Sequence, residues 1–124
     1  ALAVHSNRQE ALYRPILLAC ALAVPDDEAG HFTAQAVCEP LAQILKRKVS
    51  IATFDDQLKA FTTPERGNVL VRRGTSRKYK YRFSEPMMHP FVIMKGIKDG
   101  YINSRSLTLL AYQPQRHLSI VRIR

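Results

Sequence analysis

Asn68-Val69-Leu70-Val71-Arg72-Arg73-Gly74-Thr75-Ser76-Arg77-Lys78-Tyr79-Lys80-Tyr81-Arg82-Phe83 begins as an apolar run, breaks at a glycine, and continues as a strict alternation of basic and aromatic residues. Two extended runs around a glycine-containing break spell a β-hairpin. Successive side chains on a strand point to opposite faces, so Tyr79, Tyr81 and Phe83 share one side while Lys78, Lys80 and Arg82 share the other. One face packs and the other presents charge. Arg73-Gly74-Thr75-Ser76 is the expected tip, with Gly74 best suited to a positive φ. Seven basic residues and no acid lie from Arg66 to Arg82. Edge strands carry a cation or two against aggregation, and seven exceed that need.

Outward from the hairpin, charge divides the chain. Residues 1 to 62 hold six basic and seven acidic groups, and residues 63 to 124 hold thirteen and three, so the halves carry −1 and +10. Such asymmetry points to a polyanionic partner, nucleic acid before an anionic membrane surface. With 124 residues, 46% of them hydrophobic, the chain is long enough for one self-sufficient core. Cys20 and Cys38 sit in apolar, helix-like surroundings and are expected as buried free thiols, which suits a reducing, cytoplasmic setting. The longest apolar run, Ile16 to Val24, is too short to span a bilayer, and no secretory signal is apparent. A start at Ala1 is expected for a piece of a longer polypeptide.

Before the hairpin, residues 1 to 10 are uninformative. Leu12, Ile16, Cys20 and Ala23 have helical spacing, with Pro15 either kinking that helix or marking where its regular part begins. Thr33 is the expected N-cap of a second helix carrying Val37, Leu41 and Ile44, which Pro40 would divide. Ser50, or Thr53 with Asp56, caps a third helix through about Phe61, with Phe54, Leu58 and Phe61 on one face. After the hairpin, Pro86 is expected at the first position of a fourth helix and Gly96 as its C-cap, with Met87, Met88 and Met94 filling the core. Ser106–Tyr112 and His117–Arg124 have the pattern of two further strands. The expected fold is α+β, a winged helix-turn-helix of three helices, a two-stranded wing and a further helix over residues 1–100. A C-terminal β extension over residues 101–124 packs on the same domain.

The order of elements meets a family resemblance on Gly30-His31-Phe32-Thr33, Pro40-Leu41, Arg66-Gly67-Asn68-Val69-Leu70, Gly74 and, above all, Tyr81-Arg82-Phe83-Ser84-Glu85-Pro86-Met87-Met88-His89-Pro90-Phe91-Val92. From about Ala11 to Gly100 the chain resembles the C-terminal winged-helix domain that follows the AAA+ module in ATPases of the origin-recognition type and related bacterial ATPases. The resemblance implies double-stranded DNA as partner, beside the parent's ATPase module or other subunits. It implies wing contacts from Arg72, Arg73, Thr75, Ser76, Arg77 and Lys78, and helix-three contacts from Thr53, Gln57 and Lys59. Lys80 and Arg82 extend the basic wing. Asp55 and Asp56 would repel phosphates where a recognition helix docks, so backbone and wing contacts are expected to dominate over base readout.

Nothing in the residues spells catalysis. No GxxxxGK[ST] phosphate cradle occurs, so any ATP hydrolysis belongs to the parent. The histidines at 5, 31, 89 and 117 are scattered, without zinc spacing or a nucleophile motif, and His89 reads as a structural or capping residue. Neither a cofactor nor a metal is expected. The competing expectation is a winged-helix interaction or oligomerisation module that binds an acidic partner protein.

Overall fold

The computed structural model describes the backbone of residues 2–75 and 78–103, and side chains from Leu12 onward. Among these residues the chain is α+β, with four α-helices and a small antiparallel sheet, a layout compatible with a winged helix. The order is α1 (Leu2–Leu22), β1 (Phe32–Thr33), α2 (Ala34–Leu45), α3 (Ile51–Ala60), a 3-10 turn (Pro64–Arg66), β2 (Leu70–Arg73), β3 (Lys80–Phe83) and α4 (Met88–Lys98). β3 lies between β1 and β2. The strands expected at Ser106–Tyr112 and His117–Arg124, and with them most of the 101–124 extension, fall outside the described residues. No helix among the described residues is long and apolar enough to cross a membrane.

α1 packs on α2, α3 and α4. It starts at Leu2, so residues 2 to 10, which carry no clear pattern, are helical all the same. Pro15 does not mark where α1 begins, because the helix runs from Leu2 to Leu22 with the proline inside. The lost N–H bond is offset by burial of Pro15 together with Ile16, Leu18, Ala19 and Cys20. Pro40 likewise stays inside an unbroken α2 and is buried there. Thr33 caps α2 as expected, its hydroxyl oxygen accepting from the Ala36 N–H at 3.2 Å.

α2 ends at Lys46, which takes a left-handed conformation with φ 58° and donates its N–H to the Ala42 carbonyl. A side chain there works against backbone sterics. Lys46→Gly is expected to raise unfolding stability by about 0.5–1 kcal/mol, read as a higher urea midpoint at unchanged slope. Ser50 is the N-cap of α3, and Thr53 joins it, accepting from the Ser50 N–H at 3.3 Å. Phe54, Leu58 and Phe61 then face the core as their spacing requires. Phe32 stacks on Tyr81, and Tyr13 meets Phe61 edge-on, tying sheet and helices together.

Three expectations for the last helix are corrected. Pro86 precedes α4 rather than opening it, and Pro90 occupies its third residue, where no intrahelical N–H bond is lost. Gly96 lies inside α4, buried against Leu18, and the left-handed residue past the end is Gly100 at φ +84°. Of the methionines, Met88 is partly buried, whereas Met87 and Met94 are 76% and 68% exposed and Phe91 is 60% exposed. Val92 and Gly96, one turn apart, form the stripe that meets α1. Cys20 is buried, and burial pushes its thiol pKa up; Cys38 is only half-buried, and both are free.

Candidate nucleic-acid interface

Register decides where the hairpin's cations go. Leu70 pairs with Phe83, Val71 with Arg82, Arg72 with Tyr81 and Arg73 with Lys80. Directly opposed residues share a face. Arg73, Lys80 and Arg82 therefore carry the hairpin's charge on the strands, while Arg72 stands opposite Tyr81. There its guanidinium lies over the Tyr79 ring, 4.0 Å from the centroid. The alternation seen in sequence holds: Tyr81 and Phe83 are buried, Lys80 and Arg82 only partly so. Arg72, expected among the wing contacts, is drawn to the aromatic side.

The connection is longer than the expected tip. β2 ends at Arg73 and β3 begins at Lys80, so residues 74–79 form the loop. Gly74 is left-handed at φ +99°, and a Cβ there would stand 2.6 Å from the Lys78 carbonyl oxygen. Only glycine fits this crossing. The Lys78 N–H donates to the Thr75 carbonyl at 2.9 Å, folding the loop back on itself. Thr75 and Lys78 are exposed; Ser76 and Arg77 lie outside the described residues.

On α3 the expected contact residues part company. At 100° per residue, Ile51, Asp55 and Lys59 fall on the flank toward the hairpin, and Thr53 and Gln57 on the opposite flank. Ala52 and Asp56 are on the stripe turned furthest from the core. Thr53 is also occupied, accepting at the helix start. Asp55 holds Lys59 at 2.9 Å, which raises the lysine pKa through that hydrogen bond. The presented stripe of α3 thus has no donor suited to a base edge or phosphate, and a carboxylate in their place.

Asp26 reaches the hairpin beside its loop end. Its carboxylate lies 2.7 Å from the Lys80 ammonium and raises the lysine pKa by that contact. The loop that supplies it is braced by its neighbour: Asp27 accepts the His31 N–H at 3.0 Å and meets the buried His31 ring at 3.0 Å. Sequence spacing gave no hint of this acid-to-hairpin contact, because the two residues lie far apart in the chain. A cleft of about 500 Å³ separates α3 from β3, with Ile51, Asp55, Lys59, Lys78 and Tyr79 on its walls. Arg66, at the other end of the hairpin, lies over the Tyr13 ring at 3.7 Å.

The Asp27 contacts have a pH signature. The backbone N–H of His31, ahead of the ring contact, holds the Asp27 carboxyl below its ordinary 3.8. A carboxyl depressed in the folded state contributes stability above its unfolded pKa, and that contribution is lost as pH falls through the folded value. Asp27→Asn is therefore expected to unfold with a urea midpoint less sensitive to pH below about 4 than the parent chain. Equal acid sensitivity would contradict the role given to these contacts.

No protein-family model, curated protein or solved structure matches the chain.

Proposed function

We propose that this chain is a non-catalytic winged-helix module that binds duplex DNA, with the β2–β3 hairpin as its wing. The observation that carries the reading is the charge of that hairpin, where Arg73, Lys80 and Arg82 stand together and Lys78 is exposed on the loop beside them. Three further features support it. The order helix, strand, helix, helix, strand, strand, with the first strand added to the last, is compatible with a winged helix-turn-helix. Charge of +9 at pI near 10 supplies the long-range attraction to a polyanion. The acidic, donor-poor stripe of α3 fits contact through the backbone, with sequence read weakly or not at all. With the resemblance to the C-terminal domain of origin-recognition-type AAA+ ATPases, the proposal extends to a larger ATPase as the parent, with this module as its DNA-contacting end.

A second reading rests on one observation. Asp26 already seats a carboxylate on Lys80, so an acidic protein partner could occupy the same face. The two readings separate in one titration. Fluorescence anisotropy of a labelled ~20-bp duplex, with unlabelled polyglutamate of equal charge as competitor, is expected to show duplex binding that polyglutamate displaces only in large excess. Absence of duplex binding at low salt, with polyglutamate bound, would overturn the DNA reading.

A further inference from the structure

The outer stripe of α4 is unlike the rest of the surface. Met87, Phe91 and Met94 follow at i, i+4 and i+7, one side of the helix, and are 76%, 60% and 68% exposed. Three such side chains leave an apolar strip on the order of 400 Å², the size at which a patch on a small protein marks a contact. It is also uncharged overall, in the basic half of the chain. From Ser84 to Asp99 the chain holds Lys95, Lys98, Glu85 and Asp99, two positive and two negative, a net of zero on a protein of +9. Asp99 is further offset by Lys95 at 3.8 Å and Arg14 at 3.7 Å. A neutral strip gives a polyanion nothing to hold.

The geometry points to a second copy of this chain as the occupant, with two α4 helices packed antiparallel along Met87, Phe91 and Met94. A two-fold axis between Phe91 and Met94 sets the turn of Lys98 against the Met87 end of the second copy, near its Glu85, and the same pairing repeats on the other side of the axis. Opposite charges at the two ends of the strip make it complementary to itself, and the antiparallel helix dipoles agree. The contact buries less than a standard interface, so the dimer is weak, with a dissociation constant on the order of 100 µM. This inference is independent of DNA binding, because the hairpin cations take no part in it.

Sedimentation equilibrium of the full chain tests it. The weight-average mass is expected to rise with concentration from 14.1 kDa toward twice that value. Because two bodies of +9 repel, added salt should strengthen the dimer. Phe91→Ser with Met94→Ser, both exposed positions that the fold tolerates, should abolish the rise while leaving the unfolding midpoint in place. Lys98→Glu and Glu85→Lys should each weaken association about two- to fivefold, and the two together should restore it. Arg73→Ala with Lys78→Ala should leave it unchanged or slightly stronger. A chain that stays monomeric at every concentration overturns the proposal, whether the strip is covered by residues 104–124 or by another protein. Association that salt dissolves, or that the hairpin substitutions remove, also overturns it.

Discussion

Arg73, Lys78 and Lys80 changed together to Ala are expected to weaken duplex binding on the order of a thousandfold at 50 mM salt. The figure follows from counterion release: three phosphate contacts give a salt exponent of about 2.7, and the loss is taken from a 1 M reference down to 50 mM. Arg73 and Lys80 are a directly opposed pair on the hairpin, and Lys78 is exposed on the loop just before β3 begins. All three are at the surface, so the substitutions cost the fold little. Lys46, Arg47 and Lys48 changed to Ala provide the control. They remove the same charge at the far end of α2, about 18 Å along its axis from the strand that pairs with the hairpin. A loss of only a few fold is expected there. Equal losses from both variants would mean that net charge, not the wing, does the binding.

Gly96→Leu is expected to destabilise the fold by about 3 kcal/mol and to lower the melting temperature by about 10 °C. A Cβ at Gly96 would lie 2.7 Å from both terminal methyl carbons of Leu18, a side chain 1% exposed. Leu18 is hemmed in by the core around Ile16, Ala19 and Val92, so the crowding must part α1 from α4. Gly96→Ala makes the same 2.7 Å Cβ contact but adds nothing beyond it, and gained helix propensity offsets part of the cost, so it should destabilise less than Gly96→Leu. The partner substitution makes the cause identifiable: Leu18→Ala alone costs about 3 kcal/mol by cavity formation, and Gly96→Leu in that background should cost much less than in the parent chain. Additive costs would place the strain elsewhere.

Local patterns carried much of this architecture. The alternation of Lys80, Tyr81, Arg82 and Phe83 and the cap at Thr33 are each set by neighbours a few residues away, and they appear where the sequence puts them. What failed depended on distant contacts. Two residues, Phe32 and Thr33, are too few to show a strand period, and they become β1 only because β3 offers its edge. Pro15 reads as a kink or a helix start and Pro40 as a break because the energy that retains them comes from burial in a core the local sequence does not display. Gly96 has the composition of a cap, and only α1's approach makes it an interior contact. On α4 apolar residues at 87, 88, 91, 92 and 94 surround most of the helix, so periodicity could not say which stripe met α1. The same limit holds at the candidate interface: Arg72 and Arg73 look equivalent in the chain, and the register of β2 on β3 sends them to opposite faces. Thr53, Gln57 and Lys59 were grouped by belonging to one helix, and the helix turns them to two flanks.

The most direct test of the wing is the salt dependence of duplex binding by the unaltered chain. Four phosphate contacts, from Arg73, Lys78, Lys80 and Arg82, predict a slope of log affinity against log salt of about −3.6, a loss of about a hundredfold between 50 and 200 mM. The triple variant should flatten that slope to about −0.9. A slope near zero, or one that the hairpin substitutions leave unchanged, would contradict a DNA-binding wing.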